Sequence, residues 1–130
     1  MTESTPGDAR PAVVKRTDAV ERRPVAAGTA TETQVLLGAD DGAPHFAMRR
    51  FTLGTGGGMP RHTNMVEHEQ YVLRGRARIG IGEVHEVGAH DVFFIPAGTP
   101  QYYEVIEAPF EFLCMLPNAP DRIEILEGPC

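Results

Sequence analysis

Short apolar or alternating runs, separated by turn residues, make up most of the chain from Val13 onward. Alternation of apolar and polar residues predicts half-buried strands, and clusters rich in glycine, proline, asparagine and aspartate predict the turns between them. The predicted strands are residues 12–16, 32–37, 45–53, 61–64, 68–73, 76–81, 84–87, 91–95, 101–106, 110–116 and 122–126. The predicted turns are residues 38–42, 54–60, 74–75, 82–83, 88–89 and 96–100.

No segment carries a long 3.6-residue period, so the pattern predicts little helix. Many short strands with close glycine and proline turns predict an all-β protein, a sandwich or barrel, and we expect a small β-barrel. Residues 1–11 contain almost nothing to bury and are expected to form a flexible tail. Residues 12–130 are expected to form a single domain, since 130 residues suffice for one core.

Composition and charge exclude several classes of partner. The formal net charge is −6, whereas a nucleic-acid-binding face needs clustered Lys and Arg. No apolar run approaches the roughly 20 residues that cross a bilayer. The N-terminus has no apolar signal core, so we expect a cytoplasmic protein. In that compartment Cys114 and Cys130 are expected to be reduced thiols rather than a disulfide.

The stretch PRHTNMVEHEQYVLRG, residues 60–75, contains the first candidate chemistry. On a strand, residues two apart point to the same face, so His62 and Asn64 share a face and His68 has the same parity. Glu67 and Glu69 have the opposite parity and are expected to point outward. Imidazole nitrogens and an amide oxygen on one side are donors that a metal can use. These residues alone leave open a metal site, a metal-free polar pocket or a surface histidine pair.

A second pattern extends the first. Gly75 follows His68, and a later segment reads Gly88-(x)7-Pro96-x-Gly98-xx-Gln101. With its motif one near residues 58–75 and motif two near 88–105, the chain closely resembles the cupin family. The resemblance implies a cupin-type β-barrel, also called a double-stranded β-helix or jelly roll. More narrowly, the chain resembles small single-domain cupins that bind manganese through four histidines, some with dioxygenase-type activity.

The resemblance implies metal ligands at His62, Asn64, His68 and Gln101, at the centre of the barrel. Asn64 and Gln101 replace histidines of that subgroup, and amide oxygens are neutral and weaker donors than imidazole. Such a set suits Mn or Fe(II), or a lightly held Ni or Zn. Asn and Gln also hydrogen-bond each other or a ligand without any metal, so the site with no cofactor stays open.

A small-molecule pocket is expected around this cluster. Its predicted lining residues are Arg49, Phe51, Met59, Tyr103, Phe112 and Cys114. Each has a plainer interpretation: the phenylalanines as core, the thiol as a small buried hydrophobe, and the tyrosine as packing. An inward Arg49 needs an anionic partner, either a substrate group or a buried carboxylate. His85 and His90 are expected to be solvated.

Three functions are open at this point. The first is a metal-dependent enzyme that acts on a small organic molecule, with an oxygenase-type reaction as its expected chemistry. The second is a metal-independent isomerase, cyclase or lyase, in which His62 or His68 is the general base and Tyr103 or Arg49 stabilises an enolate or carboxylate. The third is a non-catalytic cupin that binds a small molecule. Strands that precede the barrel commonly pair with a neighbouring subunit in small cupins, so we also expect a homodimer.

Overall fold

Antiparallel strands dominate the computed structural model, which describes residues 7–126. The strands are β1 (Arg23–Pro24), β2 (Thr29–Leu37), β3 (Phe46–Asn64), β4 (His68–Ile81), β5 (Glu83–Gly88), β6 (Val92–Ile95), β7 (Gln101–Pro117) and β8 (Ile123–Ile125). The helices described within these residues are two single 3-10 turns, Thr17–Ala19 and Ala39–Asp41. The all-β barrel with little helix that the sequence predicted is confirmed.

The strands join in the order β1-β2-β3-β7-β4-β5, with β6 paired to β4 and β8 paired to β3. Their alternating residues build one core, in which Leu53, Val72, Ala77, Ile79 and Phe110 are completely buried. These side chains lie on the inner faces of β3, β4 and β7. The same three strands therefore supply both the core and the inward-facing side chains of the site.

The register between β3 and β7 brings distant parts of the sequence together. His62 lies opposite Gln101, and Phe51 lies opposite Phe112. Because inward residues alternate along each strand, these cross-strand pairs point into the same interior. The first and second sequence motifs thus meet on one side of the barrel.

The predicted turns at residues 54–60 and 74–75 are wrong, because both stretches lie inside long strands. The pairing shifts register between Leu53 and Gly58 and again between Val72 and Arg74. Glycine within a strand marks such bulges, where the chain bends without leaving the sheet. At Gly75 the backbone has φ +79°, and a Cβ would collide with the carbonyl of Pro109.

The predicted strand at residues 12–16 is also wrong, because this segment pairs with no strand of the described chain. Side chains hold it instead: Lys15 donates to the carbonyl of Leu36 at 3.1 Å and pairs with Asp41 at 2.6 Å. Val14 is 96% exposed, so the apolar character that suggested a strand is not used within this chain. The other predicted strands all overlap strands of the structure.

Candidate functional site

A cavity of about 220 Å³ occupies the inner side of β3, β4 and β7. Its lining residues are Pro24, Val25, Thr33, Arg49, Phe51, Met59, His62, Asn64, His68, Gln70, Gln101, Tyr103, Phe112, Asp121 and Ile123. The polar residues of both sequence motifs therefore face one cavity. Mostly apolar walls with a few convergent polar groups are typical of small-molecule sites.

His62 is held in one orientation and one tautomer. Its ring is 2% exposed, and Nδ1 lies 2.7 Å from the backbone carbonyl oxygen of Pro60. A carbonyl only accepts, so Nδ1 carries the proton and Nε2 keeps its lone pair. Burial lowers the pKa of His62, opposed by the Pro60 hydrogen bond and the charge of Asp121. The ring is therefore a neutral base at neutral pH.

His68 is a second buried imidazole on the same cavity. Its Nε2 is buried and has no hydrogen-bond partner among residues 7–126. The nearest acid is Asp121, whose Oδ2 lies 3.7 Å away, beyond hydrogen-bond distance. Asp121 is itself fixed, because its Oδ1 accepts the backbone N–H of Met65 at 2.9 Å. Burial lowers the pKa of His68, and the charge of Asp121 opposes that shift.

A hydrogen-bonded chain of side chains runs along the wall between β4 and β7. The Tyr103 hydroxyl faces the Oε1 of Gln70 at 2.8 Å and the Oε1 of Gln101 at 3.1 Å. The Nε2 of Gln70 faces the Cys114 thiol at 3.7 Å. Because the oxygen of Gln101 faces the tyrosine, its amino group is the part of the amide left for a ligand. Burial raises the pKa of Tyr103, so the hydroxyl keeps its proton.

Aromatic rings form one continuous wall of the cavity. Phe51 stacks on Phe112 with centroids 5.1 Å apart and an interplanar angle of 12°. Tyr103 stacks on the same Phe112 at 5.3 Å and 20°, and His62 lies 6.5 Å from Tyr103 at 22°. Parallel rings at this spacing stack face against face, so the row is rigid and apolar. It forms one apolar side of the cavity and ends beside His62.

The structure brings together nearly all of the residues that the sequence singled out. Arg49, Phe51, Met59, Tyr103 and Phe112 line the same cavity as the histidines and amides. Cys114 does not line it; its thiol lies 3.7 Å from the Nε2 of Gln70, and burial raises the pKa of the thiol to about 12. His85 and His90 are exposed, as expected, although the Nδ1 of His90 lies 2.8 Å from the Tyr71 hydroxyl.

Sequence reasoning missed Gln70, Thr33 and Asp121. Gln70 has the same parity as His68 on β4, so strand alternation was a signal that could have found it. Thr33 lies on β2, opposite Phe51, and parity alone does not show that this strand reaches the cavity. Asp121 lies after β7 in the segment that leads to β8, and nothing in the local pattern places it by His68.

The sequence of residues 49–116 matches the Cupin_2 family, the cupin domain. This chain belongs to the cupin family. The match spans both motif regions and more than half of the chain. No curated protein matches this cupin in sequence.

Solved structures agree with this fold. The cupin is similar to the polyketide cyclase RemF from Streptomyces resistomycificus, at 27% identity and TM-score 0.80 over 90% of this chain and 88% of that one. It is similar to a cupin 2 domain-containing protein from Halorhodospira halophila, at 25% identity and TM-score 0.69 over 76% and 72%. A cupin-2 domain protein from Rhodospirillum rubrum has 22% identity and TM-score 0.74 over 88% and 80%.

Metal binding depends on which side chains of the cavity could act as ligands. Within residues 7–126, no group of three or more His, Cys, Asp and Glu side chains is arranged to hold a metal ion. The predicted donors, His62, Asn64, His68 and Gln101, do share one cavity, but neither amide carries a charge. They fit only a weakly held dication, so the manganese-type site stays a prediction.

Within residues 7–126 no helix is long and apolar enough to cross a membrane.

Proposed function

We propose that this cupin is a proton-transfer enzyme, an isomerase or cyclase, that acts on a small carbonyl compound. One observation carries the proposal: the hydrogen bond from His62 Nδ1 to the Pro60 carbonyl leaves Nε2 as a neutral base. A buried neutral imidazole with a lowered pKa is suited to general base catalysis near neutral pH. The barrel fold alone does not imply catalysis, because the same fold also occurs in non-catalytic binding proteins.

In this mechanism His62 Nε2 removes a proton from the carbon next to the substrate carbonyl. The C–H bond breaks, its electron pair moves to form the enolate, and the proton stays on the imidazolium. The amino group of Gln101 is placed to donate to the enolate oxygen, because Tyr103 engages the amide oxygen. Return of the proton to another carbon isomerises the substrate. Attack of the enolate carbon on a second carbonyl of the same molecule closes a ring, and the alkoxide that forms takes the proton back from the imidazolium.

The aromatic wall supports a largely apolar substrate, and the comparison with RemF supports ring closure. That protein is described as a polyketide cyclase, and the similarity covers most of both chains. Enolate attack on a carbonyl is a ring-closing reaction that needs a base and an oxyanion donor but no redox partner. Both groups are present in the cavity.

A second candidate function is metal-dependent catalysis at the same place. It is favoured by the unpartnered Nε2 of His68 together with the free Nε2 of His62. A divalent metal would be held by these nitrogens with Asn64 and Gln101, and it would act as a Lewis acid that polarises a substrate oxygen. Neither Asn64 nor Gln101 carries a charge, and amide oxygens are weaker donors than imidazole, so this set would hold a dication only weakly. Weak metal retention makes the acid–base function the better supported one.

Metal binding has its own test, which does not depend on activity. The protein is purified without a histidine tag, and bound Mn, Fe, Ni and Zn are measured by mass spectrometry. Stoichiometric metal that is lost in His62→Ala, and kept in His85→Ala, would favour the metal-dependent function. Titration calorimetry with each ion on the stripped protein gives the affinity, which we expect to be weak.

Hydrogen–deuterium exchange tests the proton-transfer function without knowledge of the natural substrate. A panel of fused-ring ketones, with 2-tetralone as the first member, is incubated in D2O with chelator and the protein, and loss of the α-proton signal is followed by NMR. Wild type and the exposed-histidine control His85→Gln are expected to accelerate exchange equally. His62→Gln should fall to the rate of buffer. Wild-type rates in His62→Gln, or no acceleration with any ketone, would contradict the proposal.

A further inference from the structure

Arg49 is a cation inside the cavity without an anionic partner. It is the only Lys or Arg among the described residues that line the cavity. Its Nε is buried and has no hydrogen-bond partner among residues 7–126. A buried donor without an acceptor costs free energy, and a guanidinium cannot avoid the cost by losing its proton. A ligand group that accepts from this guanidinium would remove that cost.

Three arginines of the same and neighbouring strands show what Arg49 lacks. Arg50, the next residue, pairs with the buried carboxylate of Glu111, and Arg74 approaches the same carboxylate at 3.8 Å. On the outer face of the sheet, Arg78 lies 3.3 Å from Glu104. These three arginines have acidic partners on neighbouring strands, whereas the inward Arg49 has none within the described chain.

The position of Arg49 relates it to the rest of the site. It lies opposite Cys114 on β7, which in turn lies opposite Gln70 on β4, so the three form one row across the barrel. Phe51, two residues further along β3, begins the aromatic wall. Arg49 is therefore next to the aromatic wall. The positive charge of Arg49 also contributes to lowering the pKa of His68, another group of this cavity.

Among residues 7–126, Asp121 is the one carboxylate that lines the cavity, and it forms no ion pair with Arg49. Its Oδ1 accepts from the Met65 backbone, and its Oδ2 lies 3.7 Å from His68. The Met65 hydrogen bond thus holds the acid at the histidine side of the cavity. An incoming anion is the partner that Arg49 lacks.

We propose that Arg49 binds an acidic oxygen group of the substrate, so that the substrate is a carboxylic acid or ionised enol about the size of one or two fused rings. Guanidinium and carboxylate pair through parallel charge-assisted hydrogen bonds, which fix orientation as well as charge. The ring size follows from volume: a cavity of about 150 Å³ holds benzene, and this one is about 220 Å³. The inference rests on the proposed function only in taking this cavity as the substrate site.

The test compares an acid with a neutral molecule of the same shape. The probes are 2-naphthoate and 2-naphthamide at pH 8, where the histidines are neutral, and binding is followed by naphthalene fluorescence. The chain contains no tryptophan that would mask this signal. We expect wild type to bind naphthoate at least about tenfold more tightly than naphthamide, the effect of a charge-assisted pair. Arg49→Met should abolish the preference without weakening naphthamide.

Arg61→Met is the matched control, because it removes the same charge from the same strand at an exposed position outside the cavity. It should keep the wild-type preference. Arg49→Lys, which keeps the charge but not the paired donors, should retain a smaller preference, and it serves for comparison if Arg49→Met does not fold. Equal affinity of wild type for both probes, no binding of naphthoate, or an unchanged preference in either Arg49 variant would overturn the inference.

The outcome is independent of the test of His62. The ketones of the exchange assay are neutral, whereas the naphthoate assay measures equilibrium binding without any reaction. Exchange that depends on His62 with no naphthoate preference would refute the role of Arg49 alone. A naphthoate preference with no exchange would refute the proton-transfer function and leave an acid-binding cupin.

Discussion

Removal of a single oxygen atom in Tyr103→Phe tests the hydrogen-bonded chain that orients Gln101. The Tyr103 side chain is 4% exposed, and its ring stacks on Phe112 at 5.3 Å. Phenylalanine keeps the ring and its packing, so the substitution leaves no large cavity. It removes the one donor among residues 7–126 that faces the oxygens of Gln70 and Gln101. Those buried amide oxygens then have no described partner.

The expected cost follows from this geometry. A hydroxyl has one proton, so at any moment it satisfies one of the two amide oxygens that it faces. Loss of one buried hydrogen bond that leaves its acceptor unpaired costs about 1–3 kcal/mol. We therefore expect the free energy of unfolding to fall by about that amount and not by twice as much. The orientation of Gln101 is also lost, so exchange of ketone α-protons should slow although His62 is unchanged.

The neighbouring tyrosine provides the control. Tyr102 points to the outer face and has no described hydrogen bond through its hydroxyl, so Tyr102→Phe should change stability by less than about 0.5 kcal/mol. Urea unfolding followed by circular dichroism gives both free energies. Equal stability of the two variants would refute the hydrogen-bonded chain. Loss of stability with full exchange activity would refute the role of Gln101 orientation.

Three further predictions concern the pKa of His62, the backbone at Gly75 and the reactivity of the Cys114 thiol. Because burial lowers the pKa of His62, the exchange rate should rise with pH and reach half its maximum below 6.5; a midpoint above 6.5 would contradict this. The same shift means that the unfolded chain takes up protons first, so stability should fall as the pH drops below 6.5. Gly75→Ala should destabilise more than Gly82→Ala in urea unfolding. Both glycines have positive φ, which costs alanine about 1–2 kcal/mol, but only the first has backbone in contact with the new Cβ; equal costs would refute the collision. Cys114 should resist iodoacetamide at pH 8 in a Cys130→Ser background until the protein unfolds, because burial raises the pKa of its thiol to about 12; rapid alkylation of the folded protein would contradict its burial.

Strand alternation predicted most of the fold because inward and outward residues differ in polarity. That is why the inward orientation of His62, Asn64 and Tyr103 could be read from parity. The full length of β3 and β4 could not be predicted, because the glycines at 54–58 and at 75 are typical of turns in a sequence. Only the pairing within the sheet shows that the chain forms bulges there and stays in the strand. Residues 12–16 resemble a strand by composition, but a strand also requires a partner.

Site residues could be predicted where they alternate along one strand, but not where the tertiary fold brings residues from different segments together. The resemblance to cupins located His62, His68 and Gln101 by motif spacing. Asp121 and Thr33 reach the cavity only through the tertiary fold, so no local pattern marks them. The homodimer and the metal stay predictions, since neither is decided by the contacts of one chain.

The most direct test of the central claim is the protonation of the His62 ring, measured by long-range proton–nitrogen NMR across a pH titration with chelator present. We expect a proton on Nδ1 of His62, a free lone pair on Nε2 and a pKa of the ring below 6.5. His62→Gln assigns the signal. A proton on Nε2 at neutral pH, or a pKa of 6.5 or higher, would contradict the claim that this cavity contains a ready base.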